Sequence, residues 1–213
     1  MILFLDAISP KPKFVLIDNN KVIESLHILG NNYTRISDII LNKFLILSKK
    51  YNLLNKIKYL VVCTGPGSYT SLRVGISFMI GLSYSNKIPI YGVSCSKLIS
   101  QFVSKKNFYN IFIIICSANN QNYFFFPEDQ ENNFYKIIKV SEEKLFSNIN
   151  LKFYSKCISN YNLPNFLNKK IYPVIQKIKY INFEDKLQEN FVMSLDNNDI
   201  IKPIYISNNK LFD

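Results

Sequence analysis

Glycine is scarce in this chain: six in 213 residues, and none after Gly92. Glycine is what lets a backbone approach a ligand closely, so a phosphate-binding loop is not expected in the second half. Histidine is scarcer. His27 stands alone, which excludes His-pair metal sites and leaves a Ser-His-Asp triad with only one base to use. His27 lies in the alternating stretch KVIESLHIL and reads as a surface or packing residue of a strand. Cys63, Cys95, Cys116 and Cys157 form no CxxC pair; buried free thiols in a reducing compartment are expected ahead of metal or disulfide roles. No apolar run reaches the roughly 18 residues of a membrane span. The opening MILFLDAISP has no basic flank before its short apolar run, so it reads as a first strand and not a secretory signal.

Acidic charge is also thin. Fifteen Asp and Glu face 26 Lys and Arg, giving a formal +11. A basic balance suits nucleic acid or an acidic partner, yet the lysines are scattered and accompany a general excess of Asn and Ile. Arginine occurs only as Arg35 and Arg73. In a chain whose default cation is Lys, Arg73 stands out, and its guanidinium fork is expected to tie a carbonyl or carboxylate near the loop it follows.

What is abundant is apolar residue, 48% of the chain, enough for a sizeable core. Residues 2–6 (ILFLD), 14–18 and 21–29 read as three consecutive strands, the last two joined by Asn19-Asn20 as a tight turn. Residues 34–50 read as a helix, 57–63 as a buried strand, 71–85 as a helix, 88–93 as a strand and 94–104 as a helix. Hairpin-linked strands followed by helical crossovers predict an α/β fold: a mixed sheet with helices packed on it. A first lobe is placed at 1–105 and a smaller, divergent one at 106–213. In the second, strands are expected at 110–116, 121–129, 133–140 and 151–155, Ser141 as a helix cap, a helix near 183–191 and an extended segment at 202–207. No internal repeat is evident.

Three of the six glycines fall in VVCTGPGSYTSLRVG, residues 61–75. Strand, glycine loop, then helix is the general plan of an anion site. The P-loop pattern fails because no Lys follows, and the dinucleotide pattern fails because Thr70 takes the third glycine's place. A structural motif explains more: Gly65, Pro66 and Gly67 form a sharp turn, Ser68 or Thr70 caps the helix, and Arg73 and Gly75 lie in its first turns. That helix is apolar nearly all round, as is 34–50. Two such helices suggest a thick core or a partner surface. Ile36, Ile40, Phe44 and Leu47 on the first, and the small-residue strip Ser77, Gly81 and Ser85 on the second, are the candidate interface.

GPGSYTSLRVG closely resembles the GPGSFTGLRIG motif of the TsaB (YeaZ) family. ILFLD at the start, IPIYGVSCSKLI after the motif helix and KPIYIS near the end are similar to further segments of that family. The resemblance implies an actin-like, Hsp70-like ATPase fold of two RNase-H-like lobes, the second reduced. It implies a cytoplasmic, non-catalytic scaffold subunit of tRNA threonylcarbamoyladenosine modification, with no membrane attachment. Such a subunit pairs through its N-terminal helices with a catalytic TsaD homologue, is joined by a small ATPase, a TsaE homologue, and meets tRNA through the complex. The free protein is a possible homodimer.

Asp6-Ala7-Ile8 stands where the family commonly has Asp-Thr-Ser, Ile36-Ser37 where it has His-Ser, and Cys116-Ser117-Ala118 where it has Asp-Ala-Arg. Asp6 is thus the sole cofactor-binding candidate. No metal or catalytic residue is assigned; no nucleotide is expected on the chain alone, and ATP or ADP only in the complex. The alternative is an independent ATP-dependent, kinase-like enzyme of the same fold. A TsaD-like transferase would need a His-x-x-x-His pair, and a peptidase a nucleophile–histidine pair; neither is evident.

Overall fold

The structure is a computed structural model that describes residues 1–28, 35–118, 121–129, 131, 134–140, 151–175, 177–195 and 201–206. β1 (Ile2–Asp6), apolar up to its last residue, is buried on both faces, as a central strand requires. Ile2 and Phe4 point to one side of the sheet, Leu3 and Leu5 to the other. β2 (Lys13–Asp18) and β3 (Lys21–His27) pair antiparallel beside β1. Asn19 and Asn20 make the turn with φ of 48° and 59°, left-handed values that Asn tolerates. β4 (Tyr59–Gly65) pairs parallel to β1, and β5 (Ile90–Ser94) parallel to β4, so the order is β3-β2-β1-β4-β5.

Helices α1 (Ile36–Tyr51) and α2 (Tyr69–Asn86) are the crossovers. Both pack on the Leu3/Leu5 face, where Phe14, Phe44 and Phe78 form an aromatic triangle with centroids 5.5 to 6.1 Å apart. α3 (Cys95–Ser100), capped by the Ser94 side chain accepting from the Lys97 amide, packs on the opposite face.

The second sheet repeats the first. β6 (Ile111–Cys116), β7 (Asn122–Asp129) and β8 (Phe134–Val140) form an antiparallel meander. β9 (Lys156–Ser159) then pairs parallel to β6, and β10 (Ile178–Tyr180) parallel to β9, in the order β8-β7-β6-β9-β10. α4 (Asn165–Ile171) crosses between β9 and β10 on the outer face, over Phe112, Ile114 and Phe124. The molecule is therefore an internal duplication that the sequence does not display, because burial is met by different apolar residues in each half.

Three expectations are corrected. Residues 151–153 form a 3-10 turn, and the strand begins at Lys156, opposite Ile111. The helix at 183–191 is split into a 3-10 turn (Phe183–Lys186) and α5 (Glu189–Met193), because Leu187 leaves helical geometry and is buried. The helix expected at 94–104 ends at Ser100, and in the segment expected to be extended at 202–207 the Ile204 amide bonds the Thr64 carbonyl at 2.7 Å. The Ser141 cap lies outside the described residues.

Candidate functional site

The glycine motif sits at the end of β4, where the two sheets and the 201–206 segment meet. Gly65 has φ +110°, and a Cβ on it would lie 2.9 Å from the Ile204 carbonyl oxygen. The Gly65–Pro66 bond is cis. A Cβ on Gly67 would come within 2.6 Å of Ile8 Cγ2, and one on Gly75 within 2.7 Å of Ala7 Cβ. Protein groups pack directly against the loop. The Ser68 amide donates to Ser117 Oγ at 3.1 Å, the Tyr123 hydroxyl to the Gly67 carbonyl at 3.0 Å, and the Ala118 amide to the Ile8 carbonyl at 3.3 Å. The departures Ala7-Ile8 and Ser117-Ala118 are thus the residues that seat the loop.

Ser68 takes the N-cap position of α2 but its hydroxyl makes no cap bond, and Thr70 lies exposed within the first turn. The expectation of a side-chain cap is corrected: the Ser68 amide is directed to the second lobe instead. Arg73 is likewise corrected. Among the described residues its fork has neither a carbonyl nor a carboxylate partner. Its Cζ lies 4.0 Å from the Tyr69 ring centroid, and Nε donates to the Tyr205 hydroxyl at 3.2 Å. The two tyrosine rings are 4.7 Å apart. Stacking of this kind suits a planar guanidinium and not an ammonium, and it anchors the 201–206 segment to α2.

Asp6 forms part of a cleft of about 250 Å³ with Ser9, Lys11, Lys13, His27, Asn160 and Tyr161. Its carboxylate is buried and already engaged. The amides of Ile8 and Ser9 donate to Oδ1 at 3.1 and 3.0 Å, and Ser9 Oγ donates to Oδ2 at 2.5 Å. Asn160 Nδ2 donates to Ser9 Oγ at 3.1 Å and to the Cys116 carbonyl at 3.0 Å, while its Oδ1 accepts from the Cys116 amide. Burial pushes the Asp6 carboxyl above its usual value despite these donors. The position that mirrors Asp6 in the second sheet is Cys116, whose thiol burial pushes up to about 11. The two corresponding strand ends therefore carry one carboxylate, in the cleft, and one neutral thiol, packed on the outer face of the second sheet. Asn160, which ties both lobes together here, had no signal in the sequence.

The four cysteines are free and buried, Cys63 and Cys95 with sulfurs 3.8 Å apart. His27 is exposed on β3.

On the helical layer, Ile36, Ile40, Phe44 and Leu47 are all nearly inaccessible and pack on the protein's own sheet. They belong to the core, and the interface expectation for them is corrected: helical spacing marks a buried stripe without saying what buries it. The exposed apolar residues of α1 are Leu41, Leu45 and Ile46, each more than half exposed. On α2, Ser77, Gly81 and Ser85 are exposed, a Cβ on Gly81 would meet nothing within 4 Å, and Tyr84 is 83% exposed. Among the described residues no helix is long and apolar enough to cross a membrane.

Two mixed sheets of the same RNase-H-like order, joined at their strand ends with helices on their faces, define the actin-like, Hsp70-like ATPase class. Two solved structures share this fold over nearly the whole chain. One is described as an uncharacterized protein with similarity to peptidase YeaZ from Pseudomonas aeruginosa: TM-score 0.63, 14% identity, covering 97% of this chain and 99% of that one. The other is YeaZ from Pseudomonas aeruginosa: TM-score 0.60, 13% identity, covering 96% and 99%. The family model described as TsaD, tRNA N6-adenosine threonylcarbamoyltransferase, matches residues 44–207. A curated relative, the tRNA threonylcarbamoyladenosine biosynthesis protein TsaB of Buchnera aphidicola subsp. Schizaphis graminum (strain Sg), is 30% identical over 92 residues, 43% of each chain. The chain belongs to the family of that model, and over 43% of its length it is similar to a TsaB protein.

Proposed function

We propose that this chain is a non-catalytic subunit of the cytoplasmic machinery that makes tRNA threonylcarbamoyladenosine, and that it pairs with a TsaD homologue through the outer faces of α1 and α2. The observation that carries the pairing is the exposed apolar stripe of Leu41, Leu45 and Ile46 beside the small-residue strip Ser77, Gly81 and Ser85. Apolar side chains grouped on one surface mark a partner site, and the open space above Gly81 lets a partner helix approach closely. Two helices from each partner make a four-helix contact. The same surface serves a homodimer, so self-association competes with TsaD binding. A TsaE homologue joins this pair, and nucleotide binds only in the assembly. The non-catalytic reading is supported by the protein groups packed against the glycine loop, by the engagement of Asp6 within its own turn and by Cys116 at the mirrored position.

The test is co-purification with a co-expressed TsaD homologue. Leu45→Asp and Gly81→Glu substitute exposed positions, so both are expected to fold, and Gly81→Glu to melt no lower than wild type. Each is expected to weaken pairing by about tenfold or more, because an unpaired carboxylate is buried on association. Recovery of TsaD at the wild-type level by both folded variants places the interface elsewhere. Steady ATP hydrolysis by the chain alone, abolished by a point substitution within it, supports the kinase-like alternative.

A further inference from the structure

We infer that the cleft between α3 and α5 is an RNA-backbone binding site on this chain itself. The identity of the ligand rests on the proposed role in tRNA modification, whereas the site rests on the geometry. The cleft, about 700 Å³, is lined by Ser94, Ser96, Lys97, Ser100, Gln101 and Asn190, with Phe191 and Ser194 at its α5 side. Among the described lining residues there is no carboxylate.

Its rim is cationic. α3 packs against the 183–186 turn, and Phe102, directly after the cleft residue Gln101, carries Lys179 and Lys186 at 5.9 and 5.8 Å from its ring centroid. Among the described residues none of Lys97, Lys179 and Lys186 is in an ion pair. Two ammonium groups near one aromatic ring beside the cleft, a third on its wall, and the hydroxyl and amide groups that line it match a strand of alternating phosphates and ribose hydroxyls. An acidic peptide offers the same charge but no hydroxyl at each repeat to meet the serine-rich wall.

The experiment uses the full chain and a fluorescein-labelled tRNA anticodon stem-loop transcript, read by anisotropy across a salt series. Lys179→Glu/Lys186→Glu is expected to weaken binding by about tenfold or more and to lower the log–log salt slope by about 1.5. Lys43→Glu/Lys49→Glu makes the same change in net charge on α1, across the first sheet from the cleft, and is expected to shift binding by less than about twofold. Lys97→Gln, which removes the charge and keeps a polar side chain one atom shorter, is expected to give an intermediate loss, and circular dichroism melting verifies that every variant is folded.

Equal losses in the two double variants, displacement of the RNA by polyglutamate at matched charge concentration, or no RNA binding at all overturns the inference. The pairing test with the TsaD homologue is unaffected by any of these outcomes, so the failure of one idea is distinguishable from the failure of the other.

Discussion

Two buried or stacked side chains carry consequences that measurement can isolate. Asp6 is a carboxylate whose folded-state pKa lies above its ordinary 3.8 because burial outweighs the donors around it. For a group raised in the folded state, the stabilising contribution is present below the unfolded value and is lost as pH rises through the folded value. Urea midpoints are therefore expected to fall as pH rises from about 4 through the raised value. Asp6→Asn keeps an acceptor for the Ile8 and Ser9 amides and removes the charge, so its midpoint is expected to be flat over that window. A parallel decline in the variant shows that another group is titrating. Arg73 stacks on Tyr69 and bonds Tyr205 at the surface, where such a contact is worth about 0.5–1 kcal/mol. Arg73→Lys is expected to leave global melting nearly unchanged while the Ile204 amide, bonded to the Thr64 carbonyl, exchanges faster. Unchanged exchange means the 201–206 segment is held without the stack.

At the scale of elements, the glycines of α2 and its loop separate into two kinds that sequence alone does not distinguish. Gly67 and Gly75 are required because a Cβ would strike Ile8 and Ala7, which sit on the turn after the buried strand β1 and have little room to shift. Gly81 has open space above it in the middle of a helix, where Ala is favoured by about 1 kcal/mol. Gly67→Ala and Gly75→Ala are expected to lower melting by several degrees, since overpacking costs about 1–3 kcal/mol. Gly81→Ala is expected to raise it while weakening TsaD pairing if that surface is a close helix contact. A stability gain in all three variants contradicts the packing described here.

The same contrast shows how far the sequence reaches. Strands and helices of the first half were legible because each has a single apolar period: β1, β2, α1 and α2 appear within two residues of their expected ends. The motif was legible as strand, loop and helix. What packs against the loop was not, since Ile8, Ser117 and Ile204 are far apart in the chain and carry no mutual signal. The partner face of α1 was misread for a related reason. Ile36, Ile40, Phe44 and Leu47 have perfect helical spacing, and only the position of the sheet tells an inner stripe from an outer one. β9 and β10 are four and three residues long, too short to show a period.

For the whole molecule, the decisive feature is that the two sheets share one core. Val61, Cys63 and Leu98 from the first half and Ile113, Tyr123 and Phe183 from the second are buried in the same cluster. A chain of two lobes joined by a hinge opens between them; here the two sheets bury apolar side chains in one shared cluster, so opening exposes core. The lobes are also pinned by an ion pair between Lys13 on β2, which is partly buried, and Glu184 in the turn after β10, which is buried. Among the described residues Glu184 Oε2 has no hydrogen-bond partner, so the pair is incompletely satisfied. Removing one partner leaves a buried uncompensated charge and costs about 3–5 kcal/mol, whereas replacing both with apolar residues of similar volume is often neutral or stabilising. Glu184→Ala is expected to lose stability in that range, and Lys13→Met/Glu184→Leu to recover most of it, both unfolding in one transition because the shared cluster couples the separate apolar layers on the outer faces of the two sheets. Urea denaturation followed by near-UV and far-UV circular dichroism makes the measurement. Two separated transitions in either variant show that the lobes fold independently, and a loss of less than about 1 kcal/mol in Glu184→Ala, the value of an exposed pair, shows that the cleft admits enough water to solvate Lys13.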